Sequence, residues 1–249
     1  MFSLDQVKSN FPDVSEQALI LALTRLSAKG RILSVYKGFY QIIPPEYSPR
    51  GFLPPMLFID SLMSFVKKPY YVGLLSAAAL YGAAHQQPQE FFVITTSKQM
   101  TTKRKGLKIN YITKKSIPDN LIEKHKTESG YVNVSGPELT AADLVYYDNR
   151  IGGINRVATV LNELTEVMKP EQITNDFIDS MTITTIQRLG YLLDVVLGQK
   201  LLANKLYGIL QESGKKFFRQ PLKPDLGKTG FPTDDRWKII INTNIEIDE

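Results

Sequence analysis

The residues that could carry catalysis are few and scattered. His85 and His125 stand far apart and lack partners at metal-ligand spacing. Gly227-Lys228-Thr229 resembles the end of a phosphate-binding loop, but Leu222 occupies the place where the cradle needs its first glycine. Pro118-Asp119 and Pro224-Asp225 could each open a nuclease-like motif. Neither is followed by the acid and lysine that two-metal chemistry requires. Asp234-Asp235 and Glu246-Ile247-Asp248 read as acids of a solvated turn and tail. No Gly-x-Ser-x-Gly elbow is present. With no cysteine there is no disulfide and no thiolate metal site, and a reducing cytoplasm is the expected compartment. The expectation is therefore a protein with no catalytic residue, metal or cofactor.

What remains is positive charge, unevenly placed. The net charge of +5 is modest. Residues 48–118 hold ten Lys or Arg and two Asp or Glu, whereas residues 119–249 hold fifteen basic and nineteen acidic residues. The densest run is Lys98, Lys103, Arg104, Lys105 and Lys108, with no acid among them. Clustered like charges repel, and an anionic partner relieves that repulsion. Two readings stay open: a solvated loop, or a patch for a polyanion.

The first forty-odd residues supply elements that could present such charge. Ser3-Leu4-Asp5-Gln6 has the form of a capping box and predicts a helix from Ser3 to about Asn10. Phe11-Pro12-Asp13-Val14 is a turn, and Ser15 is a good cap for a second helix. Leu19, Ala22, Leu23 and Leu26 recur with helical period and predict its buried stripe. Gly30 suits the helix end. Arg31–Tyr36 and Phe39–Ile43 read as strands joined by a tight turn at Lys37-Gly38. Helix, turn, longer helix and hairpin is the order of a winged helix-turn-helix, whose second helix enters the major groove. With the stripe inward, Gln17, Thr24, Arg25 and Ala28 lie outside. Gln17 and Arg25 can reach base edges or phosphates, and Lys29, Arg31 and Lys37 stand where phosphates would pass. The competing reading is a small module that makes protein contacts only.

Pro44 to Gly51 is dense in proline and glycine and marks a boundary. The organisation expected is residues 1–47 as a DNA-binding module and 52–249 as a second domain, α/β over 52–139 and mainly helical over 140–249. In that domain the expected elements are a helix from Met56 to about Val66, a short extended Tyr70-Tyr71-Val72 and an alanine-rich helix from Ser76 to Tyr81. Strands are expected at Phe91–Thr95 and Leu107–Ile112, with the basic run as a loop between them. Helices are expected over 140–147, 154–167, 170–180, 184–197 and 200–211, with a strand over 237–241. The fold class is α+β. Arg188 and Tyr191 sit one turn apart on one helix face. They either anchor a partner surface or form a buried arrangement in which the arginine caps the tyrosine or pairs with an acid.

Several of these segments together resemble a known family. Gly30-Arg31-Ile32, Lys37-Gly38-Phe39-Tyr40, Tyr70 to Leu74, Ser76-Ala77-Ala78, Tyr81-Gly82, Pro88 and Phe91 to Thr95 are similar to AbiEi-type antitoxins of type IV toxin–antitoxin (abortive infection) systems. So are Ala142-Asp143-Leu144, Arg188 to Leu193, and Trp237 to Asn242. The resemblance runs along nearly the whole chain. It implies a non-enzymatic, DNA-binding transcriptional regulator that represses its own operon and counters a nucleotidyltransferase-like toxin. Winged helices of this kind usually have a further helix ahead of the pair read here, so either the start is shortened or another element is expected to take its place. The alternative is a nuclease-like nucleic-acid-processing enzyme fused to a winged helix. No signal peptide or membrane span is read, so a cytoplasmic protein without membrane partners is expected.

Overall fold

The structure, a computed structural model, describes residues 1–83, 89–99, 101–104 and 106–247. His85, Pro88, Lys105 and Asp248 lie outside the described residues. The fold mixes α and β elements and divides into two units.

The first unit comprises Met1–Val72, Gln89–Ile117 and Lys124–Val134. It opens with strand β1 (Phe2–Ser3), helix α1 (Leu4–Asn10) and helix α2 (Glu16–Ala28). The hairpin β2 (Ile32–Tyr36) and β3 (Phe39–Ile42) follows. The Ser3 capping box forms with both of its hydrogen bonds, and Ser15 caps α2. Gly30, at φ +68°, reverses the chain after α2 while the Arg31 N–H donates to the Leu26 carbonyl. The three strands pair in the order β1-β3-β2, with β1 directly ahead of α1. Only Leu19 and Leu23 of the expected stripe are buried. Ala22 is exposed, and Leu26 is 42% exposed. Spacing correctly identified the inner face of α2 at Leu19 and Leu23, but not at Leu26 in its last turn.

A six-stranded sheet completes this unit. Helix α3 (Ile59–Phe65) leads into β4 (Tyr70–Val72). The expected 56–66 helix is shorter because a 3-10 turn, Pro55–Leu57, precedes α3. Strands β5 (Phe91–Thr95), β6 (Thr102–Arg104), β7 (Leu107–Thr113), β8 (Ile122–Thr127) and β9 (Gly130–Ser135) give the order β6-β7-β5-β4-β9-β8. Central β5 is antiparallel to β4 and parallel to β7. Its continuous apolar run suits a strand with both faces covered. The basic run is thus only partly a loop, since Thr102–Arg104 forms an edge strand antiparallel to β7.

The second unit comprises Gly73–Pro88, Pro118–Glu123 and Ser135–Glu249. It packs α4 (Leu74–Leu80), α5 (Pro137–Tyr146), α6 (Asp148–Ile151), α7 (Ile154–Leu164), α8 (Asn175–Asp179), α9 (Ile183–Tyr191) and α10 (Lys200–Glu212). Helix α5 is buried from Pro137 to Val145 and forms its centre. The expected 170–180 helix is interrupted: a 3-10 turn over Pro170–Gln172 ends before Thr174, whose side chain caps α8. The 184–197 helix changes to a π-helical turn over Leu192–Val196. Strands β10 (Gln220–Pro221), β11 (Thr233–Asp234) and β12 (Ile239–Ile240) form a small sheet. The expected 237–241 strand is shorter because Trp237 lies in a turn. That indole is fully buried against Gly190, where an added Cβ would lie 2.0 Å from the ring.

Candidate nucleic-acid interface

Three elements of the first unit carry most of the cations that the sequence singled out. Helix α2 presents Gln17, Thr24, Arg25, Ala28 and Lys29 to solvent. The hairpin presents Arg31 at its base and Lys37 at its tip. Gly38, at φ +75°, makes the tight turn, and its carbonyl accepts from the Leu4 N–H at 2.8 Å. Phe2 stacks on Tyr40, ring centroids 5.4 Å apart, and this steadies the hairpin from its β1 side. The third element is β6, which runs beside β2. Lys103 and Arg104 are exposed on β6, and Lys98 is exposed just ahead of it. Beneath them, Tyr111 of β7 hydrogen-bonds Thr102 of β6. Burial pushes the Tyr111 phenol above its usual range, with a smaller push from Tyr36 of the hairpin.

Lys108 does not share this freedom. It is ion-paired with Glu90, which also accepts from Asn110. The Lys108 hydrogen bond is the main cause holding the Glu90 carboxyl below the usual range. The cation run therefore has an acid within reach after all, one folded alongside it from the start of β5. Lys105, the remaining member of the run, lies outside the described residues.

Arg188 and Tyr191 do not lie on the surface of the second unit. Both are buried in the second unit, at 4% and 5% exposure. The Arg188 Nε donates to the Leu222 carbonyl at 2.8 Å and one terminal nitrogen to the Val145 carbonyl at 2.9 Å. The other terminal nitrogen donates to Asp148 at 2.7 Å. The arginine joins three segments of chain, and its burial keeps it from solvent. The buried pairing with an acid is the reading that fits.

A second buried charge escaped the sequence reading. Asp194, in the π-helical turn, accepts from Lys200, Arg236 and the Trp237 indole N–H at 2.7, 2.8 and 2.9 Å. Burial alone would raise its carboxyl, but these donors together hold it below the usual range. The available signal was an aspartate inside the apolar run Leu192-Leu193-Asp194-Val195-Val196.

Residues 71–195 match the AbiEi antitoxin C-terminal domain. The chain belongs to this family. The AbiEi match thus holds most of β4, the strands from β5 to β9 and the helices from α4 to α9, with Arg188, Asp148 and Asp194 inside it. No curated protein matches the chain. Among solved structures, the chain is similar to the crystal structure of the RV2827C protein from Mycobacterium tuberculosis. That similarity has a TM-score of 0.67 at 13% identity and covers 96% of this chain and 85% of that one. It shows a shared fold.

The AbiEi region also contains a cleft of about 580 Å³, lined by Tyr81, Glu123, Glu138, Glu166 and Lys169 among others. Tyr81 donates to the Ser135 carbonyl at 2.9 Å and to Glu123 at 3.1 Å. Glu138 accepts from the Lys169 N–H at 2.6 Å. Burial raises the Glu138 carboxyl above its usual range. Among the described residues, no three His, Cys, Asp or Glu side chains gather as a metal ion would need. No helix is long and apolar enough to cross a membrane, again among the described residues.

Proposed function

We propose that this AbiEi-family chain is a non-enzymatic type IV antitoxin that represses its own operon by DNA binding. It counters a nucleotidyltransferase-like toxin. In this reading residues 1–47 are a winged helix: α2 enters the major groove, and the β2–β3 hairpin is the wing on the flanking backbone. Residues 52–249 carry the antitoxin function, and β6 lends its cations to the DNA surface.

The observation that carries the DNA reading is the placement of β6 beside β2 within one unit. Lys103 and Arg104 are exposed on β6, and β2 belongs to the hairpin that carries the exposed Arg31 and Lys37. That strand neighbourhood supports reading the two cation sets, separated in sequence, as parts of one surface for a phosphate backbone. The antitoxin part rests on the family match.

A gel shift at fixed salt, with the full chain and the DNA upstream of its own gene, tests the first half. Arg25→Ala and Lys37→Ala should each weaken binding. Unchanged affinity in both would remove the helix and wing from the DNA surface. Rescue of cells expressing the toxin tests the second half. Lys103→Ala with Arg104→Ala should preserve rescue while weakening DNA binding. Loss of rescue with intact DNA binding would instead assign β6 to antitoxicity.

A further inference from the structure

The outer face of α2 is less polar than its cations suggest. Leu21 lies two residues from each of the buried Leu19 and Leu23. Two residues turn about 200° around a helix, so Leu21 points directly away from the buried face. It is 51% exposed. Its neighbours on that face are Gln17, Thr24, Arg25 and Ala28, all exposed. The Thr24 hydroxyl donates back to the Ile20 carbonyl at 2.8 Å, so its proton is already used. The middle of the face is therefore a leucine and an alanine methyl beside a threonine whose donor is occupied. Gln17 and Arg25 flank them, and Lys29, Arg31 and Lys37 lie beyond.

We infer that Leu21 reads thymine, by apolar contact with the C5-methyl group in the major groove. This rests on the proposal that α2 docks on DNA. The major groove offers one apolar feature, the thymine methyl, and aliphatic side chains are its partners. A second protein copy fits this face poorly. A stable protein interface takes roughly 800 Å² from each partner, and the other exposed apolar residues of α2, Ile20 and Leu26, lie about 100° or more around the helix from Leu21 and do not extend its patch. The surrounding cations favour phosphate over another copy of a basic chain. Glu16, the acid of the first turn of α2, is already paired with Lys8 at 2.9 Å. Gln17 and Arg25 would then read polar base edges on either side, while Leu21 adds a requirement for thymine.

The test uses the full chain and a duplex enriched from a random pool by binding to it. Each thymine of that duplex is replaced in turn by deoxyuridine, which keeps its pairing and loses only the methyl. The wild type should bind about three- to tenfold more weakly when one or two particular thymines are replaced. Leu21→Ala should bind the thymine duplex weaker by a similar factor and no longer distinguish deoxyuridine at those positions. Because Leu21 is exposed, its thermal midpoint should match the wild type. Arg25→Ala should weaken both duplexes alike and keep the discrimination. Equal binding of all deoxyuridine duplexes by the wild type, or discrimination retained by Leu21→Ala, overturns the assignment while DNA docking stands. Failure to enrich any duplex overturns DNA docking and the assignment with it.

Discussion

The two units use charge in opposite ways. On α2, the hairpin and β6, the cations Arg25, Lys29, Lys37, Lys103 and Arg104 are exposed, and no ion pair among the described residues holds them. In the second unit Arg188, Asp148 and Asp194 are buried and each is ion-paired and hydrogen-bonded. A buried, fully bonded charge holds its own chain together and is closed to a partner. An exposed, unpaired one adds little to stability and remains available to phosphate. The contrast is sharpest between Arg188 and Arg25. Arg188→Ala leaves the Asp148 carboxylate buried without its cation and should destabilise the fold by about 3–5 kcal/mol. Arg25→Ala should shift stability by no more than about 0.5 kcal/mol. Urea midpoints read both, and similar midpoints would erase the distinction.

A second contrast lies within α2. Leu23→Ala should cost about 2–5 kcal/mol, because Leu23 is only 6% exposed. Leu26→Ala should cost under about 1 kcal/mol, since that side chain is 42% exposed. Equal denaturation midpoints for the two variants would place Leu26 in the core after all.

Leu26 also marks where the sequence stops being informative. Periodicity assigns a residue to a helix face, but how far that face is covered depends on the tertiary packing opposite it. Caps were legible because Ser3, Ser15 and Gly30 act on their own neighbours. Strands β8 and β9 were not, because Ile122-Glu123-Lys124-His125-Lys126-Thr127 carries charge where a buried strand would carry aliphatic residues, and β8 is an edge. Edge strand β6 looked like a loop for the same reason. The Arg188 helix was visible, yet its burial depends on Leu222, Val145 and Asp148, three positions remote in sequence. The proximity of β6 to β2 is likewise a tertiary fact.

The third contrast separates cations within the basic run. Lys103→Ala with Arg104→Ala should reduce the slope of log affinity against log salt by about one to two, since each phosphate contact contributes roughly 0.9. Lys108→Ala should leave the slope unchanged, because Glu90 already occupies that ammonium. Anisotropy titrations at several salt concentrations measure both. A slope lowered equally by Lys108→Ala would mean that the Glu90 pair opens on DNA.

The smallest expected effect concerns Glu138 and asks whether every buried charge of the second unit supports the fold. Asp194 is held ionised by several donors, whereas burial raises the Glu138 carboxyl against the opposing hydrogen bond from Lys169. A carboxyl raised in the fold contributes its stability in full below its unfolded pKa of about 4.3 and loses it as pH rises through the folded value. At neutral pH the Glu138 carboxylate is therefore a cost. Glutamine has a similar shape and can still accept from the Lys169 N–H, but it does not ionise. Glu138→Gln should accordingly be at least as stable as the wild type at pH 7 to 8, with the gap closing as pH falls toward the unfolded pKa. Thermal midpoints across that range measure it. A variant less stable at pH 7 that recovers on acidification would reverse the sign. Glu138 would then join Asp194 and Asp148 as a charge the fold depends on.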